Sequence, residues 1–347
     1  MLGTRNLRQV VGRLLSSPGA QKIFPSAPCS QRCHILSCRP VVAAVYSAPK
    51  APGLSRFLGT GMSDKESFDK LKFDAEKGDV KAMFETGMSL LAGRGCEANE
   101  SEAVKWYTKA AEKGHLDAQY NLGVCMYYGR GVDRNIEQAV AWYLKAADQG
   151  HVAAEYALGV CYEKGRGVQK DLVKSIKYYT NAANAGDASA QYKLGECFYY
   201  GRSGLKENFQ EAASLFSKAC EQGLAKAQYM LGLCHYYGQG VENSESKAAD
   251  LFLKAAEQGH PQAEYQIAAC YYSGRGVEKN LEKAVEWFEK AAKQSHPVAQ
   301  YSLGQCYYYG RGVPKSEEKA LEYYTMAANQ GHAQAKYWIG IILKSKE

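Results

Sequence analysis

Residues 118–128 read Ala-Gln-Tyr-Asn-Leu-Gly-Val-Cys-Met-Tyr-Tyr, with apolar side chains returning every three or four positions. That spacing predicts an amphipathic helix. Gly129-Arg130-Gly131-Val132 interrupts it, and a second periodic segment follows at Ala139-Val140-Ala141-Trp142-Tyr143-Leu144-Lys145-Ala146-Ala147. The two segments predict an antiparallel helix pair, A then B. The pair recurs along the chain. Gly78, Gly114, Gly150, Gly186, Gly223, Gly259 and Gly331 mark the beat, with Ser295 in place of one glycine, at intervals of 36 residues and once 37. Self-similarity at this period predicts stacked supersecondary units, each needing its neighbour to cover its apolar face.

Local signals agree with that reading. Asn99, Asn135, Asp171, Asn208, Ser244, Asn280 and Ser316 stand just before helix B. All are residue types whose side-chain oxygen accepts a first-turn N–H. Glu102, Gln138 and Glu211, three positions further on, predict capping boxes. Helix A is predicted to begin after Asp79, His115, His151, Asp187, His260, His296 and His332, with Pro261 and Pro297 at a first helical position. The extra residue of the 37-residue unit falls in the turn Gly201-Arg202-Ser203-Gly204. Gly87, Gly123, Gly159, Gly195, Gly232, Gly304 and Gly340 sit in the middle of helix A, with Ala268 replacing one. Each costs about 1 kcal/mol relative to alanine, so the recurrence implies close packing there. The Ala-Ala pairs of helix B, such as 110–111 and 146–147, imply the same, and Trp106, Tyr107, Trp142, Tyr143, Tyr178, Tyr179, Trp287 and Phe288 are assigned to the core.

The repeated pattern Ala-x-Tyr-x-Leu-Gly, then Gly-x-Gly-Val, then Lys-Ala-x-x-Trp-Tyr-x-Lys-Ala-Ala resembles Sel1-like repeats, relatives of the roughly 34-residue tetratricopeptide unit. The resemblance covers residues 79–347. It implies an all-α, right-handed α-solenoid of about seven helix pairs, acting as a protein-binding adaptor. A capping helix is expected within 62–78 and a terminal helix A near 333–345.

Charge divides the chain. No Asp or Glu precedes Asp64, whereas Arg5, Arg8, Arg13, Lys22, Arg32, Arg39, Lys50 and Arg56 do; the remainder holds 35 Lys+Arg against 36 Asp+Glu. A nearly neutral array argues against a nucleic-acid face. Residues 1–61 resemble a mitochondrial transit segment and linker, basic and acid-free, with Leu7, Val10, Val11 and Leu14 at helical spacing. Initiation at Met62 would give a cytosolic form without it. No apolar run is long enough to span a bilayer.

On a helical wheel, the positions equivalent to 117, 121, 124 and 128 vary from unit to unit, between two stripes expected to be buried. In relatives of this fold helix A lines the concave face, so these positions form the expected groove for a protein or peptide partner. The residues assigned to it are Asn121, Tyr128, Lys193, Tyr200, Met230, Tyr237, Gln266 and Tyr309.

Catalytic signatures do not emerge. Cys125, Cys161, Cys197, Cys234, Cys270 and Cys306 share one position, but adjacent A helices lie about 8–10 Å apart, too far for disulfides. Cys220, on helix B, leaves open a pairing with Cys197. Cys29, Cys33, His34 and Cys38 have metal-like spacing inside the basic segment. The Gly-Arg-Gly turns lack the Gly-Lys-Ser/Thr ending of a phosphate loop. The expectation is a non-enzyme without cofactor or metal. The resemblance further implies a role like that of mitochondrial family members that relay death-ligand and stress signals. The alternative is a respiratory-complex assembly factor, whose family pairs a cysteine on each of the two helices.

Overall fold

The computed structural model describes residues 63–344; the transit-segment assignment and the Cys29–Cys38 cluster lie outside them. Within that range the chain is all helix and turn. The first helices are α1 (Asp64–Glu76), α2 (Val80–Ala92), α3 (Glu100–Glu112), α4 (Leu116–Tyr128), α5 (Ile136–Ala147), α6 (Val152–Lys164), α7 (Leu172–Asn184) and α8 (Ala188–Tyr199). Then come α9 (Phe209–Glu221), α10 (Ala225–Tyr237), α11 (Glu245–Glu257), α12 (Pro261–Ser273), α13 (Leu281–Lys293), α14 (Pro297–Tyr309), α15 (Glu317–Asn329) and α16 (Ala333–Lys344). Even-numbered helices are A and odd-numbered helices are B. Extensive packing joins helices adjacent in the chain, first within a pair and then to the next pair. This is the one-dimensional architecture of an α-solenoid.

Inside a pair, the mid-helix glycine is where the B-helix ring sits. A Cβ on Gly87, Gly123, Gly159, Gly195, Gly232 or Gly304 would come within 2.5–2.7 Å of the ring of Tyr107, Tyr143, Tyr179, Phe216, Phe252 or Tyr324 respectively. Those rings are buried, together with the small alanines that let the helices close up. The preceding aromatic is less enclosed at Trp142 and Trp287, where Lys145 and Lys290 lie 4.0 and 3.6 Å from the ring centroid.

Between pairs, one joint recurs. His115, His151, His260, His296 and His332 each accept the backbone N–H three residues ahead through Nδ1, at 3.1–3.3 Å. Each imidazole also stacks on a ring of the previous A helix: Phe84, Tyr120, Tyr229, Tyr265 and Tyr301 in turn, at centroid distances of 4.5–5.1 Å. Asp79 and Asp187 supply the cap by carboxylate instead, and Leu224 supplies none. A glutamine relay completes the joint. Gln119, Gln191 and Gln300 donate to the carbonyls of Ala111, Ala183 and Ala292 at 3.2 Å. They accept from Gln149, Gln222 and Gln330 at 2.8–3.0 Å.

The inter-helix turns also tie units together. A Cβ on Gly131, Gly167, Gly240, Gly276 or Gly312 would lie 2.0–2.6 Å from a backbone carbonyl at the start of the preceding B helix. Turn side chains reach back as well: Arg166 donates to the Tyr127 hydroxyl at 2.8 Å, and Arg275 to that of Tyr236 at 2.5 Å.

All seven expected B-helix caps accept a first-turn N–H. The reciprocal half of the capping boxes expected at Glu102, Gln138 and Glu211 is not formed. Glu102 instead accepts from Lys72 of α1 at 3.2 Å, an ion pair to the neighbouring helix that the isolated box cannot offer. A full box occurs at Ser63 and Glu66.

Candidate functional site: the variable stripe of the A helices

The positions read as one groove separate into two classes. Four of those equivalent to 121 lie near the preceding unit's tyrosine. Gln266 hydrogen-bonds the Tyr229 hydroxyl, Ser302 that of Tyr265 and Trp338 that of Tyr301. Lys193 lies beside Tyr156 and pairs with Glu196 at 2.7 Å. Burial pulls its ammonium down, but the charges of Glu196 and Glu163 more than offset that, so the lysine stays protonated. Asn121 is half-buried, with its amide nitrogen 4.0 Å from the Met88 sulfur. Met230 is only 4% exposed and sits in the core with Ala212, Phe216 and Cys234. It forms part of the wall between units and offers a partner almost no surface. Tyr192 of the preceding unit packs against the same cluster, so an apolar side chain at this position helps fill the joint.

The positions equivalent to 128 behave differently. Tyr200, Tyr237 and Tyr309 are 41%, 50% and 38% exposed, and Tyr128 is half-buried. They close the C-terminal ends of helix A in their units. Each stands edge-on to the tyrosine before it, Tyr127, Tyr199, Tyr236 or Tyr308, with centroids 4.9–5.0 Å apart. The guanidinium of Arg202 lies 4.4 Å from the Tyr200 ring centroid and that of Arg311 lies 4.9 Å from that of Tyr309. Burial raises the Tyr237 and Tyr309 hydroxyls above the usual phenol range. The result is a broken row of propped rings: Tyr200 and Tyr237 stand in successive units, while Lys164 of α6 and Ser273 of α12 separate them from Tyr128 and Tyr309.

Of the two stripes expected to be buried, Ala118, Leu122 and Cys125 are, whereas Tyr120 and Tyr127 are half-buried. The phenol-to-stripe and arginine-to-tyrosine bonds were not anticipated from sequence. Their signal was present as fixed offsets, 37 residues from Tyr229 to Gln266 and 39 from Tyr127 to Arg166.

Little here resembles a reaction centre. Cys125, Cys161, Cys197, Cys220, Cys234, Cys270 and Cys306 are free thiols. Burial pushes Cys125 and Cys161 up to about 11 and Cys234, Cys270 and Cys306 to about 12. Such thiols remain protonated and unreactive at neutral pH. Among the described residues no three His, Cys, Asp or Glu side chains converge on a metal position. A cleft of about 470 Å³ at the ends of α8, α10 and α12 is lined by Leu224, Lys226 and His260 among others. No helix among the described residues is long and apolar enough to cross a membrane.

Comparison with known proteins gives a consistent answer. The Sel1 repeat model matches seven times, at residues 80–115, 116–151, 152–187, 188–224, 225–260, 261–296 and 297–332. A protective antigen of uropathogenic Escherichia coli strains, displaying an SLR fold, is 33% identical with a TM-score of 0.72; the match covers 78% of this chain and 58% of the bacterial one. The chain thus spans somewhat over half the length of that relative. A Sel1 repeat protein from Oxalobacter formigenes is 28% identical with a TM-score of 0.65, over 93% of this chain and 98% of the other. No curated protein matches the chain.

Proposed function

From the premise that this chain belongs to the Sel1 repeat family, whose members generally mediate protein–protein interaction, we propose that it is a non-catalytic adaptor that docks a protein or peptide partner along the A-helix stripe. The observation that carries this reading is the row of exposed rings at Tyr200, Tyr237 and Tyr309. Three large side chains exposed at one repeat position are more than the scattered apolar residues of an ordinary surface. Their edge-on support limits the rotamer freedom that binding would otherwise remove. The array carries nearly balanced charge, which favours a protein partner over nucleic acid.

The basic, acid-free residues 1–61 support delivery to mitochondria. The wider reading is a mitochondrial adaptor in stress or apoptosis signalling, with a cytosolic form from Met62 or after processing. The respiratory-assembly alternative draws no support from Cys197 and Cys220, which are free thiols.

The test uses the full chain in pulldown from mitochondrial and cytosolic extracts. Tyr200→Ala, Tyr237→Ala and Tyr309→Ala together are expected to abolish recovery of specific partners while the melting temperature stays unchanged. Undiminished recovery would remove the stripe from the account. A fluorescent protein fused to residues 1–61 is expected in mitochondria; diffuse fluorescence would end the targeting claim.

A further inference from the structure

Five inter-unit joints are closed by histidine, two by aspartate and one by neither. The cap is formed through Nδ1 acting as an acceptor, which only neutral imidazole can do. A proton on Nδ1 removes the acceptor and leaves a first-turn N–H without a partner. It also places positive charge at a helix N-terminus, where the macrodipole opposes it. Aspartate and asparagine caps do not lose their acceptor in this way over the same range.

The five histidines do not have equal surroundings. His151 Nε2 lies 3.3 Å from the Asp117 carboxylate. At His115 burial is the largest influence and lowers the imidazole below its ordinary value, with the Asp117 and Glu85 carboxylates opposing it and Lys81 adding to it. The last three joints lack that support. His260 faces the Tyr229 ring, the Lys226 ammonium and the His296 ring. His296 faces Tyr265, and His332 faces Tyr301. No carboxylate contributes to the environment of these three imidazoles.

We propose that the consecutive His260, His296 and His332 caps form an acid-sensitive hinge set, so that mild acidification loosens α12–α16 while the joints at α6 and α8, where Asp117 flanks the His151 cap and Asp187 stands in place of histidine, stay closed. The inference goes beyond the adaptor reading and does not depend on it. Burial holds His260 and His296 down at about 4 and lowers His332 in the same direction. A group whose folded value is depressed binds more protons in the unfolded chain. The stability it contributes is therefore complete above the unfolded value of about 6.5 and is lost as pH falls toward the folded value. Between pH 7 and about 5 the linkage amounts to on the order of a tenfold loss of protection for each fully coupled imidazole.

One group in the region works the other way. Glu264 takes the place that Gln119, Gln191, Gln228 and Gln300 hold in other joints, and is buried. It accepts from Gln294 at 2.9 Å. Burial raises its carboxyl above the usual range, so its contribution is present in acid and lost as pH rises. Glu264→Gln removes this opposing titration.

The test is amide exchange by mass spectrometry on the full chain carrying Glu264→Gln, at pH 7 and about pH 5, each referenced to its own unfolded control. The expected result is a loss of protection in α12–α16 of at least about tenfold relative to α6–α8. His260→Asn, His296→Asn and His332→Asn together should abolish most of that difference, because asparagine caps α3, α5, α9 and α13 in this chain without titrating. Uniform loss along the array would overturn the proposal, as would an asparagine variant that softens as much as its parent. If the triple variant fails to fold at pH 7 by circular dichroism, a proton NMR titration of the parent imidazoles decides. Values below that of free histidine support the hinge set, and values at or above it overturn it.

Discussion

At the scale of single residues, the mid-helix glycine is the point where sequence and packing can be compared directly. The same letter occupies Gly159 and Gly340, but its surroundings differ. A Cβ on Gly159 would lie 2.5 Å from the Tyr179 ring, whereas one on Gly340 meets nothing within 4 Å. Gly159→Ala is therefore expected to lower stability by about 1–3 kcal/mol through overpacking. Gly340→Ala should raise it by up to about 1 kcal/mol through helix propensity. Chemical denaturation of the two variants checks both signs, and a Gly159→Ala protein as stable as its parent would show that the ring moves aside. The recurrence of glycine was legible as evidence of close packing. That the object packed was an aromatic ring of the unit's own B helix was not, because a glycine records a clearance and not what occupies it.

At the scale of helices, the caps were the most legible feature. A cap depends on a few neighbouring residues, so the chain carries it locally. The seven B-helix caps and the A-helix caps fall where the residue types placed them. The capping boxes did not follow, since the glutamate at the third position can reach a neighbouring helix instead, as Glu102 does. Leu224 gives the element-scale prediction. It begins α10 with the same backbone conformation as Asp187 before α8, φ −68 and ψ 110 against φ −65 and ψ 117, but makes no side-chain cap. Leu224→Asp should stabilise the protein by about 1 kcal/mol, read as a higher denaturation midpoint with an unchanged slope. An unchanged midpoint would mean that leucine packing offsets the missing cap.

At the scale of the array, coupling between units runs through backbone as well as side chains. Gly276 has φ +70, and a Cβ there would come within 2.1 Å of the Glu245 carbonyl oxygen. Gly204, in the turn with the extra residue, has φ +84 but nothing within 4 Å. Gly204→Ala should carry only the conformational cost of about 1–2 kcal/mol. Gly276→Ala should cost more and divide the unfolding transition, because it separates a turn from the helix on which it rests. Equal costs, with a single transition retained in both, would show that turn docking contributes little to coupling. The groove reading changed at this scale too. Gln266 and Lys193 varied between units like a recognition surface. They vary because each must suit the tyrosine or charge presented by the unit before it.

The sequence by itself determined the helix pairs, their period, most of their caps and the position of the inserted residue. Each of these depends on side chains a few positions apart or on a repeat visible in one dimension. Tertiary structure alone decided which variable positions are spent on joining units and which remain exposed. It also decided which histidines face a carboxylate and which do not. Both depend on partners about one full repeat away, brought together by the stacking angle between helices, and that angle results from the packing of many side chains at once.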